Sequence, residues 1–239
     1  MARHPWEVAR ATAVEGILGR RQARFATVLD YGCGDGYTGE HLQDVFRVPH
    51  LTAVDPFLPE VSCGVARRAA GTVERSRDPD VLRGRRFDLI LLCDVIEHVE
   101  DDVGLLGQLS RDHLTPGGLV MVTAPAFQAL FSAHDRYLKH RRRYTLSSLR
   151  DVVARAGLGV GEDGYLFGSL LPARLAAAAV GARAAAGPEG HGIGAWPRGP
   201  LVTRLVTTAL QVDNAIMLAG RRLGITLPGL TVWALCRTS

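Results

Sequence analysis

Apolar and polar positions divide the chain into two kinds of segment. Short runs that are almost wholly apolar, of which 87–93 is the clearest, are typical of parallel strands buried on both faces. Longer segments repeat apolar residues every three or four positions and predict helices between the strands. Strands that alternate with helices indicate an α/β protein with a mainly parallel sheet.

The predicted elements cover most of the chain. Helices are expected at 6–24, 37–46, 61–68, 101–113, 146–156, 170–186 and 201–223. Strands are expected just before Gly32, just before Asp55, and at 71–75, 87–93, 119–124, 160–168 and 231–237. Glycine and proline predict a turn at 116–118 and a loop at 187–200.

Length and composition favour one globular domain spanning 1–239, with a leading helix inside 1–27. Apolar residues make up 47% of the chain and charged residues 22%, which is ordinary for a globular protein. A net charge of +4 is too small to predict a nucleic-acid partner. None of the four cysteines lies in C-x-x-C spacing, so neither a zinc site nor a disulfide framework is expected.

The most informative motif lies in the first quarter of the chain. Residues 28–36 read Val-Leu-Asp-Tyr-Gly-Cys-Gly-Asp-Gly, and Asp55 ends the next predicted strand. In a doubly wound sheet, a glycine-rich turn after the first strand lets the backbone approach a ligand closely. The acid that ends the second strand reaches the hydroxyls of a ribose. The pair therefore predicts a nucleoside site.

The details of this turn favour a nucleoside without phosphate. A dinucleotide fingerprint requires glycine at the sixth place, and that place, counted from Gly32, holds Tyr37. Asp35 lies inside the turn, where a carboxylate would repel a pyrophosphate at the helix N-terminus. The same charge suits a ligand that carries an amino group or a positive charge.

The segment 28–36 resembles the first motif, D-x-G-C-G-x-G, of the class I S-adenosylmethionine-dependent methyltransferases. The segments 94–99 (D-V-I-E-H-V) and 116–118 (P-G-G) resemble later motifs of that family, in the same order. The resemblance implies a Rossmann-like, doubly wound sheet of seven strands with the last strand antiparallel, and S-adenosyl-L-methionine as cofactor. The cofactor-binding residues that it implies are Asp30, Tyr31, Gly32, Cys33, Gly34, Asp35, Asp55, Pro56, Cys93, Asp94, Val95 and His98.

The acceptor side is expected in the polar segment 133–144, which resembles a string found in type 11/12 small-molecule methyltransferases. Its candidate catalytic residues are His134, Asp135, His140 and Arg143. A histidine with a carboxylate partner can act as general base, and an arginine can hold an anionic group. The alternative is a structural loop, with transfer by proximity alone. No metal site is expected, because the spacing of His134 and His140 fits no helical metal motif.

These features together predict a cytoplasmic enzyme that methylates a small molecule, with oxygen or carbon slightly favoured over nitrogen, in secondary metabolism. An NAD(P)-dependent oxidoreductase and a non-catalytic S-adenosylmethionine-binding protein are the alternatives. The helical insertion at 169–228 is expected to be a lid over the acceptor; a homodimer contact and a membrane-surface contact stay open. Charged residues interrupt both of its helices, so no transmembrane segment is expected.

Overall fold

The computed structural model describes residues 3–20, 24–179 and 196–238. Its strands are β1 (Thr27–Tyr31), β2 (His50–Val54), β3 (Gly64–Arg67), β4 (Thr72–Ser76), β5 (Phe87–Cys93), β6 (Leu114–Pro125), β7 (Leu158–Leu166) and β8 (Thr231–Thr238). Its helices are α1 (Pro5–Gly19), α2 (Tyr37–Phe46), α3 (Asp102–His113), α4 (Ala133–Tyr137), α5 (Leu146–Arg155), α6 (Leu171–Ala179) and α7 (Pro200–Arg222). The α/β fold class predicted from the sequence is confirmed.

All eight strands form one sheet in the order β3-β4-β2-β1-β5-β6-β8-β7. The five strands from β4 to β6 in this order are mutually parallel, whereas β8 runs antiparallel to both β6 and β7. The chain builds outward from β1 to β2 and β4, and then returns to place β5 on the other side of β1. This reversal opens a crevice at the carboxyl ends of β1 and β5, where doubly wound folds bind their ligands.

Helices cover both faces of the sheet. One hydrophobic cluster joins α1, α2 and α7 to the first face and includes the fully buried Trp233. The other joins α3 and α5 to the second face through residues such as Leu106 and Leu149. Because β5 lies at the centre of the sheet and is buried on both faces, its sequence is apolar except for Asp88 near its start.

The prediction of a helix at 61–68 is wrong. Residues Glu60–Ser62 make one turn of 3₁₀ helix, and β3 follows and pairs antiparallel with β4. A tight turn joins the two strands, since Arg68 and Gly71 exchange backbone hydrogen bonds of 2.8 and 3.2 Å. All four residues of β3 are exposed, so they lack the apolar face that identifies a strand in sequence. This edge strand raises the count from seven to eight.

The expected turn at 116–118 is also revised. It lies within β6, which already begins at Leu114, although the pairing with β5 is irregular between Phe87 and Leu89. Gly117 adopts a φ of 78°, a left-handed conformation that favours glycine. The glycine pair therefore bends a strand rather than preceding it.

The helical insertion is described in two parts. The predicted helix 170–186 is observed as α6 up to Ala179, and its remainder lies outside the described residues, as does most of the predicted loop at 187–200. The second part, α7, packs against α1 and β7. Among the described residues, no helix has both the length and the apolar character needed to cross a membrane.

Candidate functional site

Three polar segments meet at the crevice between β1 and β5. The glycine turn Gly32–Gly36 follows β1, Asp55 follows β2, and Asp94 follows β5. Since these parallel strands are neighbours, the three segments lie side by side at one edge of the sheet. The sequence predicted this juxtaposition.

The glycine turn follows a path that other residues would strain. Gly32, Gly34 and Gly36 have φ values of 72°, 57° and 85°. A Cβ on Gly32 would lie 2.5 Å from a methyl of Val95, so the turn packs directly on the segment after β5. At Gly34 a Cβ would meet no heavy atom of the described residues within 4 Å. The backbone at Gly34 thus borders open space that a ligand can enter.

Asp30 lies beneath this turn and is almost fully buried. Its Oδ2 accepts a hydrogen bond of 3.0 Å from the Gly39 N–H in the first turn of α2. Burial raises the pKa of Asp30 to about 7, although the Gly39 N–H and the nearby Arg10 oppose this shift. The carboxyl group therefore changes charge near neutral pH.

Gly39 is a residue that the sequence reasoning missed. A Cβ there would lie 2.6 Å from Oδ2 of Asp30, so only glycine lets α2 approach β1 this closely. In dinucleotide folds this role falls to the glycine at the sixth place of the fingerprint, which Tyr37 occupies here. The sequence feature that could have identified Gly39 is a glycine two positions after the sixth place of the fingerprint.

Asp55 faces the glycine turn from the end of β2. Its Oδ2 accepts a hydrogen bond of 2.9 Å from the Gly34 N–H, and its Oδ1 accepts one of 2.8 Å from the Phe57 N–H. Each carboxylate oxygen has a second lone pair, which leaves capacity for a ligand hydroxyl. Next to it, the carbonyl of Pro56 accepts a hydrogen bond from Arg77.

Asp35 has a different environment from the one predicted. Its carboxylate lies 2.7 Å from the Arg3 guanidinium and accepts a hydrogen bond of 3.1 Å from the N–H of Tyr37, the first residue of α2. The Arg3 guanidinium also lies over the Tyr37 ring, 4.0 Å from its centroid. Because Arg3 compensates its charge, Asp35 repels a phosphate less than the sequence alone suggested. The side chain is more than half exposed.

Asp94 is the first residue after β5 and lies at the crevice. Its φ is 59°, in the left-handed region. It forms an ion pair with the buried Arg10 of α1 and accepts a hydrogen bond of 3.1 Å from the Thr123 hydroxyl. Beside it, burial raises the pKa of the Cys93 thiol to about 12. Burial likewise raises the pKa of the Cys33 thiol, so both sulfurs are neutral at physiological pH. Tyr31 and Val95 pack against the hydrophobic cluster on the α3 side.

The segment 132–144 is organised around Asp135, which is fully buried. Asp135 lies in the short helix α4 and accepts hydrogen bonds from Ser132, from Nδ1 of His140 at 3.0 Å, and from two guanidinium nitrogens of Arg143 at 2.7 and 3.0 Å. Burial alone would raise the pKa of Asp135, but His140 and Arg143 hold it well below its usual range. The carboxylate is therefore charged at physiological pH, and both of its oxygens accept hydrogen bonds.

The structure thus pairs Asp135 with His140 rather than with its sequence neighbour His134. Nδ1 of His140 is held by Asp135, and its Nε2 lies 4.0 Å from Oε1 of Glu97. His134 is half-buried, and burial lowers its pKa. Of the two histidines proposed from the sequence, His140 has the defined orientation.

The segment 132–144 also forms hydrogen bonds with the residues that follow β5. Arg141 donates from its backbone N–H to the Glu97 carbonyl at 2.7 Å, and the Tyr144 hydroxyl donates to Asp102 at 2.7 Å. His98 lies edge-to-face against His140 with 4.8 Å between ring centroids. The acceptor-side segment and the cofactor-side segment 94–99 therefore form one continuous surface. Glu97, which sequence reasoning did not single out, lies at their junction.

The geometry fits a nucleoside that carries a cationic amino group. Asp55 offers a carboxylate beside the turn, Gly34 leaves its backbone accessible, and Asp30 offers a titrating carboxyl group beneath. Val95, which follows β5, borders the same turn. These residues are the ones that would hold the ribose and the amino-acid end of S-adenosylmethionine.

Comparisons with known proteins point the same way. A family model described as a methyltransferase domain matches residues 8–162, more than half of the chain. A curated relative, the ubiquinone biosynthesis O-methyltransferase of Azorhizobium caulinodans, is 32% identical over 106 residues, which cover 40% of this chain and 39% of that protein. The chain thus matches well under half the length of this relative.

Solved structures share the fold at low sequence identity. An S-adenosylmethionine-dependent methyltransferase from Clostridium acetobutylicum aligns with a TM-score of 0.55 at 12% identity, over 96% of this chain and 90% of that one. A further S-adenosylmethionine-dependent methyltransferase, from Archaeoglobus fulgidus, aligns with a TM-score of 0.52 at 16% identity, over 95% and 94% of the two chains. At these identities the likeness concerns the fold.

Proposed function

Since the chain belongs to the class I S-adenosylmethionine-dependent methyltransferases, we propose that it transfers the methyl group to a hydroxyl oxygen of a small-molecule acceptor. The observation that supports this proposal is the Asp135–His140 pair, which lies next to the cofactor-side segment 94–99. The Azorhizobium relative is named as an O-methyltransferase, which agrees with an oxygen acceptor.

The cofactor supplies an electrophilic methyl group on a sulfonium sulfur. We propose that Asp55 binds the ribose hydroxyls and that Asp30 lies near the amino group of the methionine portion. Both assignments rest on their positions at the ends of adjacent parallel strands, where Asp55 binds the glycine turn and Asp30 binds the first turn of α2. The backbone from Cys93 to Val95 would line the methionine side, because Val95 packs against Gly32.

On the acceptor side, we propose that His140 handles the hydroxyl proton. A hydrogen bond to Asp135 fixes Nδ1 as the donor, so Nε2 is the nitrogen that can accept a proton. Asp135 and Arg143 act as positioning residues, since Asp135 binds both the His140 ring and Arg143, and Arg143 is held in turn by the Ala126 carbonyl. Alignment of the acceptor with the methyl group supplies the rest of the rate enhancement.

The two helices of the insertion have different roles in this proposal. Arg174 of α6 donates a hydrogen bond of 2.9 Å to the Ser132 hydroxyl, which caps α4. We therefore place α6 at the border of the acceptor pocket. In contrast, we place α7 outside the lid, because its second half packs through Leu210, Asn214 and Leu218 against the face of the sheet that carries α1.

A methyl-transfer assay with radiolabelled cofactor and a panel of small phenols, alcohols and amines tests this function. We expect a hydroxyl acceptor to be methylated, and His140→Gln to lower kcat at least about tenfold with cofactor affinity unchanged. His134→Gln serves as the matched variant, with a smaller expected loss because Asp135 does not hold its ring. Labelling of amines alone, or equal rates for both variants and the wild type, would contradict the proposal.

A further inference from the structure

Glu97 stands apart from the other buried acids. Its side chain is fully buried, and neither carboxylate oxygen has a hydrogen-bond partner among the described residues. Asp30, Asp135 and Asp163, which are equally buried, each accept hydrogen bonds. An unpaired buried carboxylate is costly, so its presence requires an explanation.

Two imidazoles surround this carboxylate. Nε2 of His140 lies 4.0 Å from Oε1 of Glu97, and one ligand atom from each of Glu97, His98 and His140 lies within 4.8 Å of the others. Asp135 binds the opposite nitrogen of His140, which leaves the lone pair of Nε2 directed at the cluster. A carboxylate behind a histidine is the usual support for a metal-binding imidazole.

We propose that Glu97, His98 and His140 bind a divalent transition-metal ion. Two imidazoles and one carboxylate suit zinc, manganese, iron or cobalt, and they suit calcium and magnesium less well, because these prefer oxygen ligands. With metal–ligand bonds of about 2.1 Å, ligand atoms lie roughly 3.0 to 3.5 Å apart. In the structure the three ligand atoms lie within 4.8 Å of one another, so binding an ion requires side-chain rotations that draw them together.

The burial of the three ligands differs, which indicates a site that is open to solvent on one side. Glu97 is fully buried, His140 is one-tenth exposed, and His98 is exposed. An ion held here would keep free coordination positions toward His98, as catalytic ions do and structural ions do not.

This inference deepens the proposed function and rests on it for the role of the ion. Val95, which packs against Gly32 of the cofactor turn, lies two residues before Glu97. The ion would bind the acceptor hydroxyl and lower its pKa. The hydroxyl proton leaves to solvent, the C–S bond of the cofactor breaks, and the new C–O bond forms. Because Nε2 of His140 is then a metal ligand, the ion replaces His140 as the group that acts on the hydroxyl proton, and the base role proposed above for His140 applies to the ion-free enzyme.

The sequence predicts no metal site, because the spacing of His134 and His140 fits no helical metal motif. The ligands are instead Glu97 and His98, adjacent in the chain, with His140 brought to them by the fold. Adjacent ligands with a distant third match no short metal-binding spacing. Only the hydrogen bonds between 141–144 and the segment after β5 reveal the cluster.

The test measures zinc binding to the full chain after chelator treatment and dialysis. Calorimetry should show one Zn²⁺ per chain, and Glu97→Gln, His98→Ala and His140→Ala should each weaken binding at least about tenfold. His113→Ala is the matched control, since its imidazole bonds to the Arg85 carbonyl at the far end of α3. Binding should be unchanged in that variant.

A second readout keeps the result independent of activity. Zn²⁺ should raise the thermal unfolding temperature of the wild type and leave that of Glu97→Gln unchanged, while both proteins bind S-adenosylhomocysteine equally. The proposal is overturned if the wild type binds no Zn²⁺ at one equivalent, or if the His98 and His140 variants bind it as the wild type does.

The proposed role of the ion and the proposed acceptor chemistry can be disproved independently of each other. If the stripped enzyme methylates a hydroxyl acceptor at the full rate, the role of the ion is wrong and the proposed function stands. If Zn²⁺ binds at the cluster and no small hydroxyl acceptor is methylated, the proposed function is wrong and the ion site stands.

Discussion

Gly39 controls how closely α2 approaches the first strand. Its N–H donates to the buried carboxylate of Asp30, and a Cβ would lie 2.6 Å from the accepting oxygen. We expect Gly39→Ala to lower the free energy of unfolding by about 1–3 kcal/mol, because the Asp30 side chain must move in a packed interior. Affinity for S-adenosylhomocysteine should fall as well. Chemical denaturation and calorimetry measure the two effects.

Gly16 provides the control for this substitution. It also lies in a helix, and a Cβ there would meet only Leu218 at an ordinary contact distance of 3.8 Å. Gly16→Ala should therefore be neutral or stabilise the protein by up to about 1 kcal/mol, through helix propensity. If both variants have the same stability, the close approach at Gly39 does not constrain the fold.

Asp30 should make cofactor binding depend on pH. Burial raises its pKa to about 7, so in the free protein the carboxyl group takes up a proton as the pH falls through neutrality. A cationic amino group binds the ionised form better, and affinity for S-adenosylhomocysteine should fall by up to about tenfold per pH unit below 7. Above that pH the affinity should reach a plateau.

Calorimetric titrations from about pH 5.5 to about pH 8.5 measure this dependence. Asp30→Asn keeps an oxygen that can accept the Gly39 N–H and removes the titrating group, so its affinity should vary less with pH. A wild-type affinity that stays constant across this range would show that Asp30 does not face the amino group.

At the scale of single elements, Asn214 is the buried polar side chain that ties α7 to the core. Asn214 is buried; its amide oxygen accepts a hydrogen bond from the Phe167 N–H at 2.8 Å, and its amide nitrogen donates to the Ala9 carbonyl at 3.3 Å. We expect Asn214→Leu to cost about 1–3 kcal/mol of stability, because two buried backbone groups lose their partner. Thermal or urea unfolding measures this loss.

Gln211 is the matched position on the same helix. It also reaches α1, through a hydrogen bond of 3.0 Å to the Thr12 hydroxyl, and it is only partly buried. Gln211→Ala should cost less than about 1 kcal/mol, since water can replace the contact. Equal losses in the two variants would argue against Asn214 as the anchor of α7.

The elements that sequence predicts well are those with a strong internal pattern. Tyr37–Phe46 and Phe87–Cys93 were predicted at their observed bounds, because a buried parallel strand and a helix behind a glycine turn have distinct signatures. Residues 61–68 were mistaken for a helix because β3 is an exposed edge strand with no buried face. Its pairing partner, not its own sequence, determines its structure.

At the scale of the whole molecule, the site is assembled from segments far apart in the chain. The cofactor side could be predicted, since Gly32, Asp55 and Asp94 each follow a recognisable strand, and parallel strands end at one edge. The acceptor side could be predicted only as a polar segment. The bond from His140 to Asp135, and the approach of both to Glu97, depend on tertiary packing that no spacing in the sequence encodes.

A calorimetric titration of the wild type and of Asp55→Asn with S-adenosylhomocysteine tests the central claim most directly. We expect one site of micromolar affinity in the wild type. The affinity of the variant should be at least about tenfold lower, because it loses a charged hydrogen-bond acceptor. Asp78→Asn, at an exposed 3₁₀-helix cap, should bind like the wild type. Binding of NADH in place of S-adenosylhomocysteine, or an unchanged affinity in Asp55→Asn, would contradict the account.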